Sequence, residues 1–406
     1  MLIVQKYGGT SVADNDRIMS AARRIVRAYD SGSKVVVVLS AQGNMTDDLI
    51  AKALSVNPDA SAREMDMLMA TGEQQSAALM AMAIHKLGYP AVSLTGYQAG
   101  IHSSATHGSA RIRSIDTKRI VTETDKRNLV LVAGFQGVTK NGDITTLGRG
   151  ASDTTAIALA AALNARLCEI YTDVDGIYTA DPRIVKNARK LKEISYDEML
   201  ELSSLGANVL ASRAAEMAKK YQVNVVVRSS LSDDPGTSVK GESVMENTYI
   251  SGVAVDREVT SISVKGLTDR PGVAFKIFSL LAKEGISVDL IVQSISPSSE
   301  ISFIVNTSNA SKATQILNSN AKYVGCGEVT RSDNVAKLSV VGAGMASNPG
   351  VASKMFEALA DAGVNIRMIS TSEIKITVLI GENEVERAAN YVHDKFFHEG
   401  YGGLDI

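Results

Sequence analysis

Lys6-Tyr7-Gly8-Gly9-Thr10-Ser11 follows the first strand-like run of the chain. Glycines let a backbone approach a phosphate and turn its N–H groups inward, and a lysine adds positive charge beside the transferring oxygens. A tight turn would account for the same residues, and the Gly-x-x-x-x-Gly-Lys pattern of a Walker loop is absent. Far downstream, Gly148-Arg149-Gly150-Ala151-Ser152-Asp153 opens an alanine-rich helical stretch. Arginine presents a planar fork suited to a carboxylate. Ser152 reads as a helix N-cap and Asp153 as a first-turn acid, so capping alone also explains this pair.

Three further segments have suitable chemistry. Thr71-Gly72-Glu73 offers an acid for an ammonium group, or only a solvated helix glutamate. Ser40-Ala41-Gln42-Gly43-Asn44-Met45-Thr46 follows the second strand-like run, and Ser40 and Thr46 have hydroxyls to offer a carboxylate. Loops at the carboxyl ends of parallel strands are where α/β folds bind ligands. The run from Tyr171 to Arg183 holds three aspartates and an arginine. Asp173 and Asp175 suit an adenosine group or a metal, and Arg183 suits nucleotide phosphates. Calcium-loop spacing is not met. Together these residues imply phosphoryl transfer from a nucleotide to an amino acid.

The elements that must position them are legible as alternation. Runs at 2–5, 34–39, 91–95, 129–133, 167–171 and 223–227 are β-branched and apolar on both faces, as buried parallel strands are. Helical stretches lie between them: one capped by Asp14 and running to about Tyr29, one over 62–87, and one over 153–165 whose composition predicts burial. The expected class is α/β, a three-layer, mostly parallel sheet. Residues 229–239 carry a loop signature and 240–248 are polar, which marks a boundary. Beyond it Pro271-Gly272-Val273-Ala274 recurs as Pro349-Gly350-Val351-Ala352, an offset of 78 residues. Lys276/Lys354, Phe278/Phe356, Leu281/Leu359, Ala282/Ala360 and Gly285/Gly363 keep the same offset. That length suits two tandem βαββαβ modules.

With 406 residues the chain can build two or three domains, and 45% hydrophobic residues with no tryptophan predict an aliphatic core. A net charge of −2 without basic blocks argues against nucleic acid as the main partner. Cys168 and Cys326 and five scattered histidines show no disulfide or metal spacing. No apolar run approaches the roughly 20 residues of a membrane span, and the N-terminus reads as a strand rather than a leader. A cytoplasmic location is expected.

The ordered set Lys6-Tyr7-Gly8-Gly9-Thr10-Ser11-Val12, Thr71-Gly72-Glu73, Ala133-Gly134-Phe135-Gln136-Gly137, Thr146 through Asp153 and Tyr171 through Gly176 resembles the aspartokinase family, within the amino acid kinase superfamily. The two C-terminal repeats resemble its paired ACT domains, so the resemblance spans essentially the whole chain. It implies a catalytic domain over 1–243 and ACT-like regulatory domains over 249–328 and 333–406. The implied reaction is ATP-dependent phosphorylation of the side-chain carboxylate of L-aspartate, with Mg2+. This is the first step toward lysine, threonine, methionine and diaminopimelate. By resemblance Lys6, Gly8, Gly9 and Asp153 are catalytic. Ser40, Thr46, Glu73, Arg149 and Ser152 bind substrate, with Glu73 and Asp153 on its ammonium and Arg149 on its α-carboxylate. Lys6, Tyr7, Gly8, Gly9, Thr172, Asp173, Tyr178 and Arg183 bind nucleotide. An effector, lysine or threonine or both, would bind through Asp269, Arg270, Gly272, Val273, Ala274, Ser287, Val288, Asp289 and Gln293, with Val351, Asn365, Ser372 and Glu373 from the second copy.

The resemblance also implies a homo-oligomer formed through the ACT-like domains, and Met245 sits where some relatives start a shorter regulatory subunit. The chain departs from the family at Asn208, where many members carry a lysine that reaches the nucleotide, and at Ala211-Ser212-Arg213, commonly His-Pro-Arg. Asparagine donates a hydrogen bond without charge, so weaker ATP binding is expected. Another amino acid kinase, or a sensor whose kinase half has decayed, remains open on the residues alone.

Overall fold

The apolar runs of the N-terminal half assemble, in the computed structural model, into an eight-stranded sheet. The description covers residues 1–148, 150–206, 209–241, 250–268, 270–294, 299–345, 348 and 350–397. The strand order is Glu193–Ser195, Thr237–Lys240, Val225–Ser229, Leu167–Thr172, Leu2–Tyr7, Lys34–Leu39, Leu129–Ala133 and Ala91–Leu94. Neighbours are parallel except Val225–Ser229 against Thr237–Lys240. Thr237–Lys240 lies partly in the stretch expected to be a loop; four residues are too few for alternation to show.

Register places the site. Tyr7 lies opposite Leu39 and Tyr171, and Leu39 lies opposite Ala133. The four central strands therefore end level, and their following loops leave one carboxyl edge together. Alternation along Leu2–Tyr7 sends successive side chains to opposite faces. Tyr7 enters the core formed with helices Asn15–Asp30 and Ala62–Lys86. Lys6 faces helix Ala151–Ala162, which is buried along almost its whole length. Asp14 caps the first helix by accepting from the Arg17 N–H at 2.8 Å. A second small sheet, Ile112–Ile115, Ile101–Ser103, Gln136–Val138 and Ile144–Thr146, was not expected, because its strands are three or four residues long.

The C-terminal repeat folds as two four-stranded antiparallel sheets. One orders Asp289–Ser294, Glu300–Asn306, Val259–Lys265 and Glu328–Ser332, with helices Val273–Lys283 and Thr307–Ser319. The other orders Gly252–Asp256, Val335–Val341, Lys375–Gly381 and Met368–Thr371, with helices Val351–Asp361 and Val385–Phe397. Gly272 and Gly350, at φ +95° and +104°, occupy the same left-handed cap in each copy. Residues with a Cβ avoid that conformation, which accounts for the glycine in both copies.

Two boundaries differ from the sequence reading. Gly252–Asp256 belongs not with the module expected over 249–328 but beside Val335–Val341, in register Val253–Val340. Its Val253 is buried in the second module's core. The first module is thus inserted between an edge strand and the remainder of the second. Moreover, Tyr178–Arg189 and Ser204–Ala207, read as part of a 1–243 catalytic domain, group with the unit that includes Met245–Ile406. The other unit comprises Met1–Ile177, Lys190–Ser203 and Asn208–Val244. Among the described residues no helix is long and apolar enough to cross a membrane.

Candidate active site

At the carboxyl edge of the large sheet, Lys6 Nζ lies 2.7 Å from Asp153 Oδ1, with side-chain exposures of 11% and 10%. Strand alternation aims Lys6 at the helix, and the first turn of that helix presents Asp153. The helix N-cap is Gly150, in the left-handed region at φ +71°. This corrects the reading of Ser152 as the cap. Ser152 instead lies inside the first turn, 6% exposed, against Gly134, where a Cβ would stand 2.9 Å from Ser152 Oγ. Gly134 therefore allows the loop after Leu129–Ala133 to reach the helix start.

The two glycines after Lys6 serve close packing. The Gly8 N–H donates to Tyr171 O at 3.1 Å, so it is committed to the fold rather than aimed at a ligand. A Cβ on Gly8 would lie 3.4 Å from Lys6 Nζ, and one on Gly9 only 2.6 Å from Ala41 O. The loop after the first strand thus lies directly on the loop after the second. Gly43 N–H to Gly9 O, 3.1 Å, and Ser40 N–H to Tyr7 O, 3.1 Å, fasten them. Ser40 is half-buried here, and Thr46, also half-buried, lies in the first turn of helix Met45–Val56. Tyr7 departs from its nucleotide assignment: its ring is fully buried and stacks on Tyr171 at 4.7 Å.

Glu73 emerges from helix Ala62–Lys86 beneath the same loops, 3% exposed. Its Oε1 accepts the Ala41 N–H at 3.2 Å, while Oε2 is buried without a hydrogen-bond partner. Burial pushes its carboxyl up to about 7, against the weaker pull of backbone hydrogen bonds. Thr172 ends its strand opposite Ser229, and its hydroxyl donates to Asp173 at 3.1 Å. Lys6, Gly8, Gly9, Ser40, Glu73, Ser152, Asp153, Thr172 and Asp173 all belong to the first unit. Tyr178 and Arg183 belong to the second, where Arg183 pairs with Asp181 at 2.7 Å. Arg149, Asn208, Asp269 and Met245 lie outside the described residues.

Two positioning roles, those of Arg213 and Asp66, escaped the sequence reading. Arg213 donates to Leu147 O at 2.8 Å and Ala110 O at 3.0 Å, bracing the approach to Gly148. Asp66, fully buried, accepts the Gly108 N–H at 3.0 Å and the Thr146 hydroxyl, with His107 Nδ1 3.0 Å away. An acid at an inward position of a Met- and Ala-rich helix was the available signal.

In the first C-terminal module, Arg270, Gly272, Val273, Ala274 and Gln293 line a cavity of about 330 Å³ with Thr268 and Glu300. Ser287 and Val288 lie outside that lining. Asp289 is held by Lys337, Nζ to Oδ2 3.0 Å, and Lys337 also meets Asp256 at 3.1 Å. Burial opposes the charge on Asp289, but Lys337 outweighs it and lowers the carboxyl below its usual range. From the second copy, Val351 is in the core, whereas Asn365, Ser372 and Glu373 are exposed. None of those four lines this cavity.

A glycine-cornered lysine with two buried carboxylates, on a parallel sheet followed by paired antiparallel modules, defines an amino acid kinase with ACT domains. Residues 1–229 match the amino acid kinase family, and 261–320 and 338–396 match an ACT domain. The chain belongs to the aspartokinase family, and its reaction is the phosphorylation of aspartate. It is 50% identical to the aspartokinase of Geobacillus stearothermophilus over 398 residues, 97% of each chain. Against the aspartokinase of Mycolicibacterium smegmatis identity is 49% over 412 residues, covering 100% of this chain and 97% of the relative. Among solved structures, E. coli aspartokinase III with aspartate and ADP (R-state) superposes with a TM-score of 0.85 at 25% identity, covering 98% of this chain and 100% of that one. The same enzyme with lysine and aspartate (T-state) gives 0.76 at 26% identity, over 98% and 99%.

Proposed function

We propose that the donor is ATP, that the acceptor is the side-chain carboxylate of L-aspartate, and that the product is 4-phospho-L-aspartate, the first intermediate toward lysine, threonine, methionine and diaminopimelate. The observation that carries this reading is the juxtaposition of Lys6 and Asp153 beside the Gly8-Gly9 corner. A carboxylate is already nucleophilic, so the reaction needs no general base. The obstacle is bringing one anion to another, and positioned positive charge addresses it. Lys6 supplies that charge beside the transferring phosphoryl group.

The substrate ammonium lies between Asp153 and Glu73, whose unpartnered Oε2 requires a donor. Arg149 takes the α-carboxylate, and Ser40, Thr46 and Ser152 complete the pocket. Thr172, Asp173, Tyr178 and Arg183 take the nucleotide. Asp173, directly after the strand that ends at Thr172, would hold a magnesium ion accompanying the triphosphate. The metal offsets phosphate charge.

Activity is controlled by lysine, threonine or both, through the ACT-type modules, which also join copies of the chain. E. coli aspartokinase III has been solved with lysine, and the cavity around Arg270, Gly272 and Gln293 has room for an amino acid. Feedback requires the effector to prefer the less active state. Trapping the acyl phosphate with hydroxylamine, in the presence of ATP-magnesium and aspartate, tests the reaction. Aspartyl hydroxamate is expected; its absence, or equal yield with glutamate, defeats the proposal.

A further inference from the structure

The segment 178–189 has its base in the first unit and its body in the second. At the base, Leu191 N–H donates to Ile177 O at 2.8 Å and Ile177 N–H to Thr237 Oγ1 at 2.9 Å. Within the body, Thr179 N–H donates to Arg189 O at 2.8 Å, and Arg189 N–H returns to Thr179 Oγ1 at 2.9 Å. Thr179 thus closes the segment into a loop.

One helix, Val385–Phe397, grips that loop at three places. Thr179 Oγ1 and His393 Nε2 are 2.8 Å apart. Asn390 Nδ2 donates to Ile184 O at 2.9 Å, and Asn187 Nδ2 donates to Asp394 Oδ1 at 3.2 Å. Ala180 and Val185 are buried in the same core as Val392 and Phe396. From the other side, Val253 N–H donates to Thr179 O at 2.7 Å.

Thr179 and His393 are both fully buried, and the imidazole stacks on Phe397 at 4.5 Å. A polar pair in an apolar core specifies one arrangement, because any other leaves a buried group unsatisfied. Thr179 directly follows Tyr178 and precedes Arg183 by one turn of chain.

We propose that His393, through Thr179, is a positioning residue for the nucleotide: the last helix of the regulatory half sets the placement of Tyr178 and Arg183. The inference rests on the reading of those two residues as nucleotide contacts.

The test is steady-state kinetics of the full chain with His393→Phe, His393→Gln, Thr179→Val and Thr179→Ser. Phenylalanine keeps the ring and the stacking but removes the polar contact; glutamine restores a donor near Nε2. His393→Phe and Thr179→Val are expected to raise KM for ATP roughly three- to tenfold, the scale of one buried hydrogen bond. KM for aspartate should stay within about twofold, and the glutamine and serine variants should recover most of the loss. Should His393→Phe not fold, the Thr179 pair carries the comparison alone. Equal changes in both KM values, or lower thermal stability with an unaltered KM for ATP, would overturn the link. Arg183→Ala and Tyr178→Phe separate the two ideas. If they leave KM for ATP unaltered, the nucleotide reading fails. If they raise it while the His393 and Thr179 variants do not, only the link fails.

Discussion

Lys6 Nζ and Asp153 Oδ1, 2.7 Å apart, couple the end of the first strand to the first turn of a buried helix. Neither charge has much water, so each depends on the other. On the proposed assignment, a phosphoryl group at Lys6 would share that ammonium with Asp153, while a substrate ammonium at Asp153 would release Lys6 toward phosphate.

Lys6→Met should lower kcat by at least about a hundredfold, the scale of losing one preorganised electrostatic contact. It also strands Asp153 as an unpaired buried charge, so the melting temperature should fall. Adding Asp153→Asn should restore stability without restoring kcat. Calorimetry with hydroxamate assays checks both halves, and recovery of turnover in the double variant would contradict the role given to Lys6.

Glu73→Gln should stabilise the ligand-free protein in a pH-dependent way. The ordinary carboxyl value is 4.5 and burial raises the folded value to about 7. The folded state therefore binds the proton more tightly than the unfolded state, and stability is lost as pH rises from about 4.5 through 7. Removing the charge should gain on the order of 3 kcal/mol at about pH 8 and almost nothing at about pH 4. Urea titrations at the two pH values measure the difference; equal gains at both would refute it.

On the proposed assignment, the same carboxyl has to be ionised to hold the substrate ammonium. KM for aspartate should drop as pH climbs toward 7, approaching tenfold per unit below that value, then level off. Glu73→Gln should raise KM and abolish this dependence. A parallel pH profile in the variant would show that another group is responsible.

Gly9→Ala places a Cβ 2.6 Å from Ala41 O, a backbone atom that cannot swing aside. The strain should destabilise the chain by about 1–3 kcal/mol and separate the two βα loops, with a fall in kcat. Gly32→Ala is a poor control because of its φ of +87°. Gly241→Ala, which meets only a side-chain atom at 3.9 Å, should be close to neutral.

Asn208→Lys should lower KM for ATP roughly tenfold, by supplying a charged hydrogen bond where the chain carries a neutral donor. Kinetics with aspartate held saturating measures this, and an unaltered or higher KM would remove Asn208 from the nucleotide subsite.

Local chemistry was legible in the residues themselves. The apolar runs at 34–39 and 129–133 became strands with those bounds, because strands buried on both faces need an unbroken β-branched composition. The 78-residue repeat announced two like modules, down to the paired left-handed glycines. Lys6, Glu73 and Asp153 were named from residue type; the first stands at a strand end and the other two on helices. Periodicity is a property of a few neighbouring residues, so what it encodes survives in a one-dimensional reading.

Long-range placement was decided only in three dimensions. That Tyr7 is core while Lys6 faces the site follows from pleat direction relative to the layers on either side. That Gly8 spends its N–H on Tyr171 depends on a strand far along the chain. Gly252–Asp256 paired with the second module, and 178–189 joined the regulatory unit, because burial and hydrogen-bond satisfaction are settled among all available partners at once. Such competition leaves no mark in the spacing of residues, and it is what connects His393 to Thr179.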